Sequence, residues 1–175
     1  MVMGMNHQWV ADLGTKYLLT VVDALSKYAW VEPIRDKSGP KMKQAWENIL
    51  KRAAPRHSRR LQTNQGKEFN NTSMQKLFRE RVIHHFSTSG DAKTSLVERF
   101  NRTLKGRMYR YFTAANTLKY LDVLPDLVRG YNASYHWSIR RTPQDVNPRH
   151  EKDVWKTLYG PRRTRPRQPT FRVGD

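Results

Sequence analysis

Three strands joined by links too short for a crossover leave this chain one way to begin. Trp9–Leu13, Tyr17–Asp23 and Tyr28–Glu32 read as strands, with Gly14-Thr15 turning the first into the second and Ala24 to Lys27 the second into the third. Parallel neighbours need a connection of a dozen or more residues, so these three must form an antiparallel meander. The middle run, Tyr17-Leu18-Leu19-Thr20-Val21-Val22-Asp23, is almost continuously apolar, which predicts a strand buried on both faces.

A sheet buried on both faces needs helices, and the next segment supplies them. Ser38 is placed to cap a helix with Pro40 in its first turn, and Met42, Ala45, Trp46, Ile49 and Ala53 keep helical period. Pro55 follows its end, and Arg56 to Arg60 reads as an exposed basic link. Leu61-Gln62-Thr63 is a short strand that delivers Asn64-Gln65-Gly66. Thr72 or Ser73 is expected to cap a helix with Met74, Leu77 and Phe78 on its apolar face, and Val82–Phe86 to form a fifth strand. Ser87 to Lys93 is a loop, after which a helix is expected to reach about Phe112. Leu118, Leu121, Leu124, Val128, Tyr131 and Tyr135 mark another helix, with Pro125 inside it as a kink. Val154, Trp155, Leu158 and Tyr159 suggest a last short helix, and Trp30, Trp46 and Trp155 are expected in the core. The order βββαβαβαα implies an α/β fold with a five-stranded mixed sheet flanked by helices.

Charge narrows the partner. The chain carries 33 basic and 15 acidic residues, a formal net charge of +18. That excess points to nucleic acid first and an anionic membrane surface second. With no Cys, disulfides and thiolate zinc sites are excluded. No run approaches the 18 apolar residues of a membrane span, and Met1 to Met5 lack the features of a signal peptide. The expectation is an intracellular protein, nuclear if its host is eukaryotic.

The chemistry-bearing residues fall at three places. Asp12 interrupts an apolar strand, where a carboxylate is costly unless it is paired or binds a metal. Asn64 stands at the end of the fourth strand, two residues before Gly66. Glu98, Arg102 and Lys105 share one helix face at i, i+4 and i+7, while Leu96, Phe100, Thr103 and Leu104 cover the opposite side. A carboxylate beside two cations suits a phosphodiester, the first holding a divalent metal and the others phosphates. The plain alternative is a surface helix with a Glu–Arg pair. Lys67, Lys93, Arg99, Arg102, Lys105 and Arg107 are candidate phosphate contacts, and Arg162, Arg163, Arg165 and Arg167 lie in a Pro-rich basic arm suited to phosphates without sequence preference. Asp23 reads as a strand-end turn former and Glu68 as structural. His84 and His85 point to opposite faces of a strand and make a poor metal pair.

Three motifs in order carry a resemblance. Trp9-Val10-Ala11-Asp12, Thr63-Asn64-Gln65-Gly66-Lys67-Glu68-Phe69 and Val97-Glu98-Arg99-Phe100-Asn101 resemble the D,D-35-E catalytic core of retroviral-type integrases, with 33 residues between Asn64 and Glu98. The likeness is nearest to Polinton/Maverick and Gypsy-like transposon integrases, and Tyr131-Asn132, His136 and Thr142-Pro143 match the segment that follows their core. The resemblance implies an RNase H-like fold over residues 6–136, a C-terminal helical extension over 137–160, and a linker over 161–175 toward an SH3-like or chromodomain module. It implies catalytic and metal-ligand positions at Asp12, Asn64 and Glu98, two Mg²⁺ or Mn²⁺ ions, and contacts to the element's DNA end from Asn101, Arg102 and Lys105. The reaction implied is 3′-end processing and strand transfer into target DNA by a homo-oligomer, at least a dimer. Four features depart from the pattern. Asn64 stands where the second catalytic Asp belongs, the turn from Leu13 to Tyr17 is short, Pro125 interrupts a helix, and no His-His-Cys-Cys zinc domain precedes the core. They point to impaired catalysis, or to a non-catalytic DNA-binding module of the same descent. An RNase H-type nuclease is the weaker third reading.

Overall fold

The computed structural model describes residues 8–14, 18–87 and 95–160, with 8–14 and Ser95 as backbone only. Strands β1 (Gln8–Gly14), β2 (Leu18–Asp23) and β3 (Ala29–Pro33) form the antiparallel meander. Helix α1 (Gly39–Ala53) crosses to β4 (Arg60–Thr63), which pairs parallel with β1, and α2 (Thr72–Glu80) crosses to β5 (His84–Ser87), parallel with β4. The sheet has five strands in the order β3-β2-β1-β4-β5. Helices α3 (Ser95–Ala115), α4 (Leu124–Asn132) and α5 (Glu151–Tyr159) follow, with single 3₁₀ turns at Pro143–Asp145 and Pro148–His150.

All six residues of β2 are buried, and their alternation divides the core. Leu19 and Val21 face α1 and α2, where Trp46, Phe69, Met74 and Phe78 pack. Leu18 and Val22 face α3 and α4, against Val97, Phe100, Leu104, Leu124 and Tyr131. A small third cluster, Ile139, Val146 and Val154, seats α5.

The edge of β3 is closed by a side chain. Asn132, buried at the end of α4, accepts the Ala29 N–H through Oδ1 and donates Nδ2 to the Ala29 carbonyl, both at 2.9 Å. The amide thus takes the place of a neighbouring strand for that residue. Asp23 ends β2 as a turn former, accepting Leu25 N–H at 3.3 Å and Ser26 N–H at 3.2 Å.

Several local expectations are corrected. The helix expected from Leu118 begins at Leu124, with Pro125 in its first turn rather than as an interior kink. Proline's missing N–H is harmless only there, so the chain turns at Tyr120–Val123 and starts the helix beside it. The cap of α2 is Asn71, whose Oδ1 accepts Met74 N–H at 3.0 Å, and not Thr72 or Ser73. Helix α3 runs on to Ala115, past Phe112, and β5 begins at His84 because Val82, at φ 54°, turns the chain. Arg56 is no exposed link: its guanidinium lies 4.7 Å from the Tyr28 ring centroid and donates to the Val146 carbonyl at 2.7 Å. Trp155 is 46% exposed, because α5 packs through Val154 and the half-buried Leu158.

Candidate nucleic-acid interface at the strand ends

The register of β1 builds this site. Asp12 lies opposite Thr20 of β2 on one side, while on the other Ala11 pairs with Thr63 of β4. Asp12 is the next residue of β1 after that pair, and Asn64 the first residue after β4. Helix α3 packs on β1 and β2 through Val97, Phe100 and Leu104, and presents Glu98 in its exposed first turn. Thr20, the register partner of Asp12, lines a cleft of about 270 Å³ together with Asn101 and Lys105. Arg102 is exposed one turn after Glu98, and Lys67 is exposed in the loop after β4. The strand ends and the α3 stripe therefore share one side of the sheet. Lys93, Arg162, Arg163, Arg165 and Arg167 lie outside the described residues.

Asn64 is held from two directions. Its Oδ1 accepts the Gly66 N–H at 3.1 Å, closing a turn, and Phe69 anchors that loop in the core with its N–H on the Gly66 carbonyl at 3.1 Å. The Glu68 carboxylate folds over Gly66, where a Cβ would lie 2.5 Å from it and would push that side chain aside. Behind Asn64 runs a relay that the sequence did not signal. Gln75 Nε2 donates to His85 Nδ1 at 3.0 Å, leaving Nε2–H to reach Thr63 Oγ1 at 2.9 Å. The Thr63 hydroxyl then donates to the Asn64 carbonyl at 2.7 Å. Burial, with His84 adding to it, holds the His85 pKa below the usual imidazole value and keeps the ring neutral for this relay. Three elements contribute to it, so no local pattern could have shown it.

A divalent-metal pair is a poor match for these residues. Asp12, Asn64 and Glu98 offer an all-oxygen set, as hard cations prefer, but only two of the three are carboxylates. The Asn64 oxygen is already turned to the Gly66 amide. Among the described residues no helix is long and apolar enough to cross a membrane.

Known proteins share this architecture. The HTLV-2 integrase catalytic core domain in complex with magnesium, in its trimeric form, superposes with a TM-score of 0.70 at 18% identity, over 83% of this chain and 99% of that one. A chain of the simian T-cell lymphotropic virus intasome in complex with PP2A regulatory subunit B56 gamma gives 0.72 at 19% identity, over 91% of this chain and 56% of that one. The BIV integrase catalytic core domain gives 0.68 at 16%, over 86% and 99%. At these identities the likeness establishes the fold, that of the RNase H-like retroviral integrase core. In sequence, an uncharacterized transposon-derived protein of Caenorhabditis elegans is 32% identical over 133 residues, which is 76% of this chain and 46% of that protein. The chain thus spans about half the length of that curated relative. The family model of the integrase core domain matches residues 4–91, a segment that holds all five strands with Asp12 and Asn64. By that match over half its residues, and by its fold, this chain belongs to the integrase core domain family.

Proposed function

We propose that this domain binds DNA along the α3 stripe and the adjoining strand ends, and that the strand-transfer chemistry of its family is impaired at Asn64. The observation that carries the proposal is the Asn64 amide oxygen engaged by the Gly66 N–H at the end of β4, the strand that pairs with β1, while α3 packs on β1 with Arg102 and Lys105 exposed. In this reading Arg102 and Lys105 hold backbone phosphates of an element's DNA end, with Asn101 beside them and Lys67 contributing from the loop after β4. Asp12 and Glu98 occupy the acidic positions. A neutral amide between them leaves the set one charge short of what paired Mg²⁺ or Mn²⁺ ions demand. The net charge of +18 supports DNA as the partner. Processing two element ends calls for at least a dimer. The second reading, a non-catalytic DNA-binding module descended from a transposon integrase of Polinton/Maverick or Gypsy-like type, rests on the same engaged amide.

The test pairs the protein with Asn64→Asp on labelled element-end DNA, with Mn²⁺ and then Mg²⁺. The expected result is DNA binding by both and joining by the Asp variant alone. Robust joining by the unaltered chain would remove the claim of impairment. Binding should also weaken steeply with salt, about a thousandfold between roughly 50 and 200 mM if some six phosphates are contacted. A flat salt titration would remove the electrostatic argument.

A further inference from the structure

A second basic stripe runs along α3, about 100° around the helix from Glu98. Arg99, Thr103 and Arg107 stand at i, i+4 and i+8 and line a cleft of about 430 Å³. The remainder of its lining includes Lys27 from the β2–β3 turn, Tyr131 at the end of α4, and Ser134 and His136 just after it. No Asp or Glu is among the described residues that line this cleft. Among the described residues, neither Arg99 nor Arg107 forms an ion pair.

Two of the three cations are held in place. Lys27 takes a left-handed backbone, φ 63°, and donates its ammonium to the Ala24 carbonyl at 2.7 Å. Arg107 donates to Ser134 Oγ at 2.8 Å, and that hydroxyl donates on to the Gly130 carbonyl at 2.6 Å. Gly130 leaves room for the guanidinium, since a Cβ there would lie 2.9 Å from Nη1 of Arg107. The Tyr131 ring is fixed edge-on, with its centroid 4.7 Å from those of Phe100 and His136.

The groups feel one another. Burial lowers the Lys27 pKa, Asp23 opposes that, and Arg99 adds to the lowering. Burial likewise lowers His136, a backbone hydrogen bond at Tyr131 opposes it, and Arg107 and Lys27 push it further down. Burial raises Tyr131 to about 12, so its hydroxyl remains a donor. Asp23 offsets Lys27 from outside the lining, but Arg99 and Arg107 face a wall without a carboxylate, an arrangement that an anion in the cleft would relieve.

We propose that this cleft binds a phosphate group, held by Lys27, Arg99, Arg107 and the Tyr131 hydroxyl. The site is separate from the Glu98 stripe and does not depend on the function proposed for it. Tyr135 and Trp137, exposed and edge-to-face at 5.2 Å, stand beside it, with Tyr135 in the lining. Aromatic faces next to a phosphate cradle favour a nucleic-acid phosphate over a free one.

The experiment titrates the 175-residue chain with pyrophosphate, following the His136 ring by NMR and the heat of binding by calorimetry. A 5′-phosphorylated oligo-dT is then added as competitor. The expected result is a saturable shift of the His136 resonances and a rise in its pKa on binding. Arg99→Gln with Arg107→Gln should weaken pyrophosphate by about tenfold or more. Thr103→Glu, an exposed change on the cleft wall, should do the same by placing a carboxylate among the cations. Lys43→Gln, which removes one charge from α1, should not. Competition by the oligonucleotide identifies the source as nucleic acid, whereas pyrophosphate binding without competition identifies a free phosphate compound; both uphold the site. A His136 ring unmoved at saturating pyrophosphate would overturn it. So would a Thr103→Glu protein, folded by circular dichroism, that binds pyrophosphate as the unaltered chain does.

Discussion

The two faces of the sheet are built from different materials. Toward α1 and α2 the strands offer Leu19, Val21, Trp30 and Leu61, and the helices answer with Trp46, Phe78, Met42 and Met74, large side chains with almost no exposure. Toward α3 and α4 they offer Leu18, Val22, Ala29 and Val31, and the packing is rimmed by half-buried residues such as Leu96, Met108 and Tyr120. Clefts of about 270 and 430 Å³ open on this second side. One face is sealed by volume and supplies stability. The other leaves room beside its backbone, and the cations and the strand-end residues are placed there. The division predicts that changes on the first face act on folding and changes on the second on function.

The largest expected effect tests the functional face. Asn64→Asp should raise strand transfer on element-end DNA in Mn²⁺ by on the order of a thousandfold, while leaving the melting temperature nearly unchanged. A variant as inert as the unaltered chain would show that Asn64 is not the sole lesion. Trp46→Ala on the sealed face should cost about 3–5 kcal/mol in a denaturant melt, since a buried indole packed edge-on at 5.7 Å from Phe78 leaves a cavity that rigid neighbours cannot fill. Asn132→Ala should cost about 2–4 kcal/mol by stranding the buried Ala29 N–H and C=O. If Asn132→Ala cost more than Trp46→Ala, the assignment of stability to the α1/α2 face would fail. Arg102→Gln should weaken DNA binding several-fold and reduce the salt slope by about one, with stability unchanged.

The smallest effect concerns acid. The His85 pKa is lowered in the folded protein, so the unfolded chain binds the proton first. Stability from this group is complete above the unfolded value near 6.5 and declines as pH falls from there toward the folded pKa. A pH series of thermal melts should show that decline, and His85→Gln should flatten part of it. Because His85 props Thr63 and through it the Asn64 carbonyl, the same protonation should loosen the loop carrying Asn64. Hydrogen exchange at Gly66 would detect this.

Local pattern made much of this legible. The short links around Leu18–Asp23 dictate an antiparallel meander, because steric reach alone forbids the alternative. The periods of Met42–Ala53 and of Glu98–Lys105 locate two helices and their buried sides, because helical geometry repeats within a few residues. The role of Pro125 and the cap of α2 escape local pattern for a related reason. Whether a proline kinks a helix or begins one, and which of several polar residues caps, depends on what packs nearby rather than on composition. The excess of positive charge and the spacing of Asp12, Asn64 and Glu98 are likewise properties of the chain itself. Only the tertiary structure decided that β4 pairs with β1, that Asn64 spends its oxygen on Gly66, and that Asn132 closes the edge of β3 from 103 residues away. The gathering of Lys27 from the β2–β3 turn with Arg99 and Arg107 of α3 around Tyr131 was decided there too. Such contacts are set by how whole elements pack, since each gains only when its distant partner is already in place.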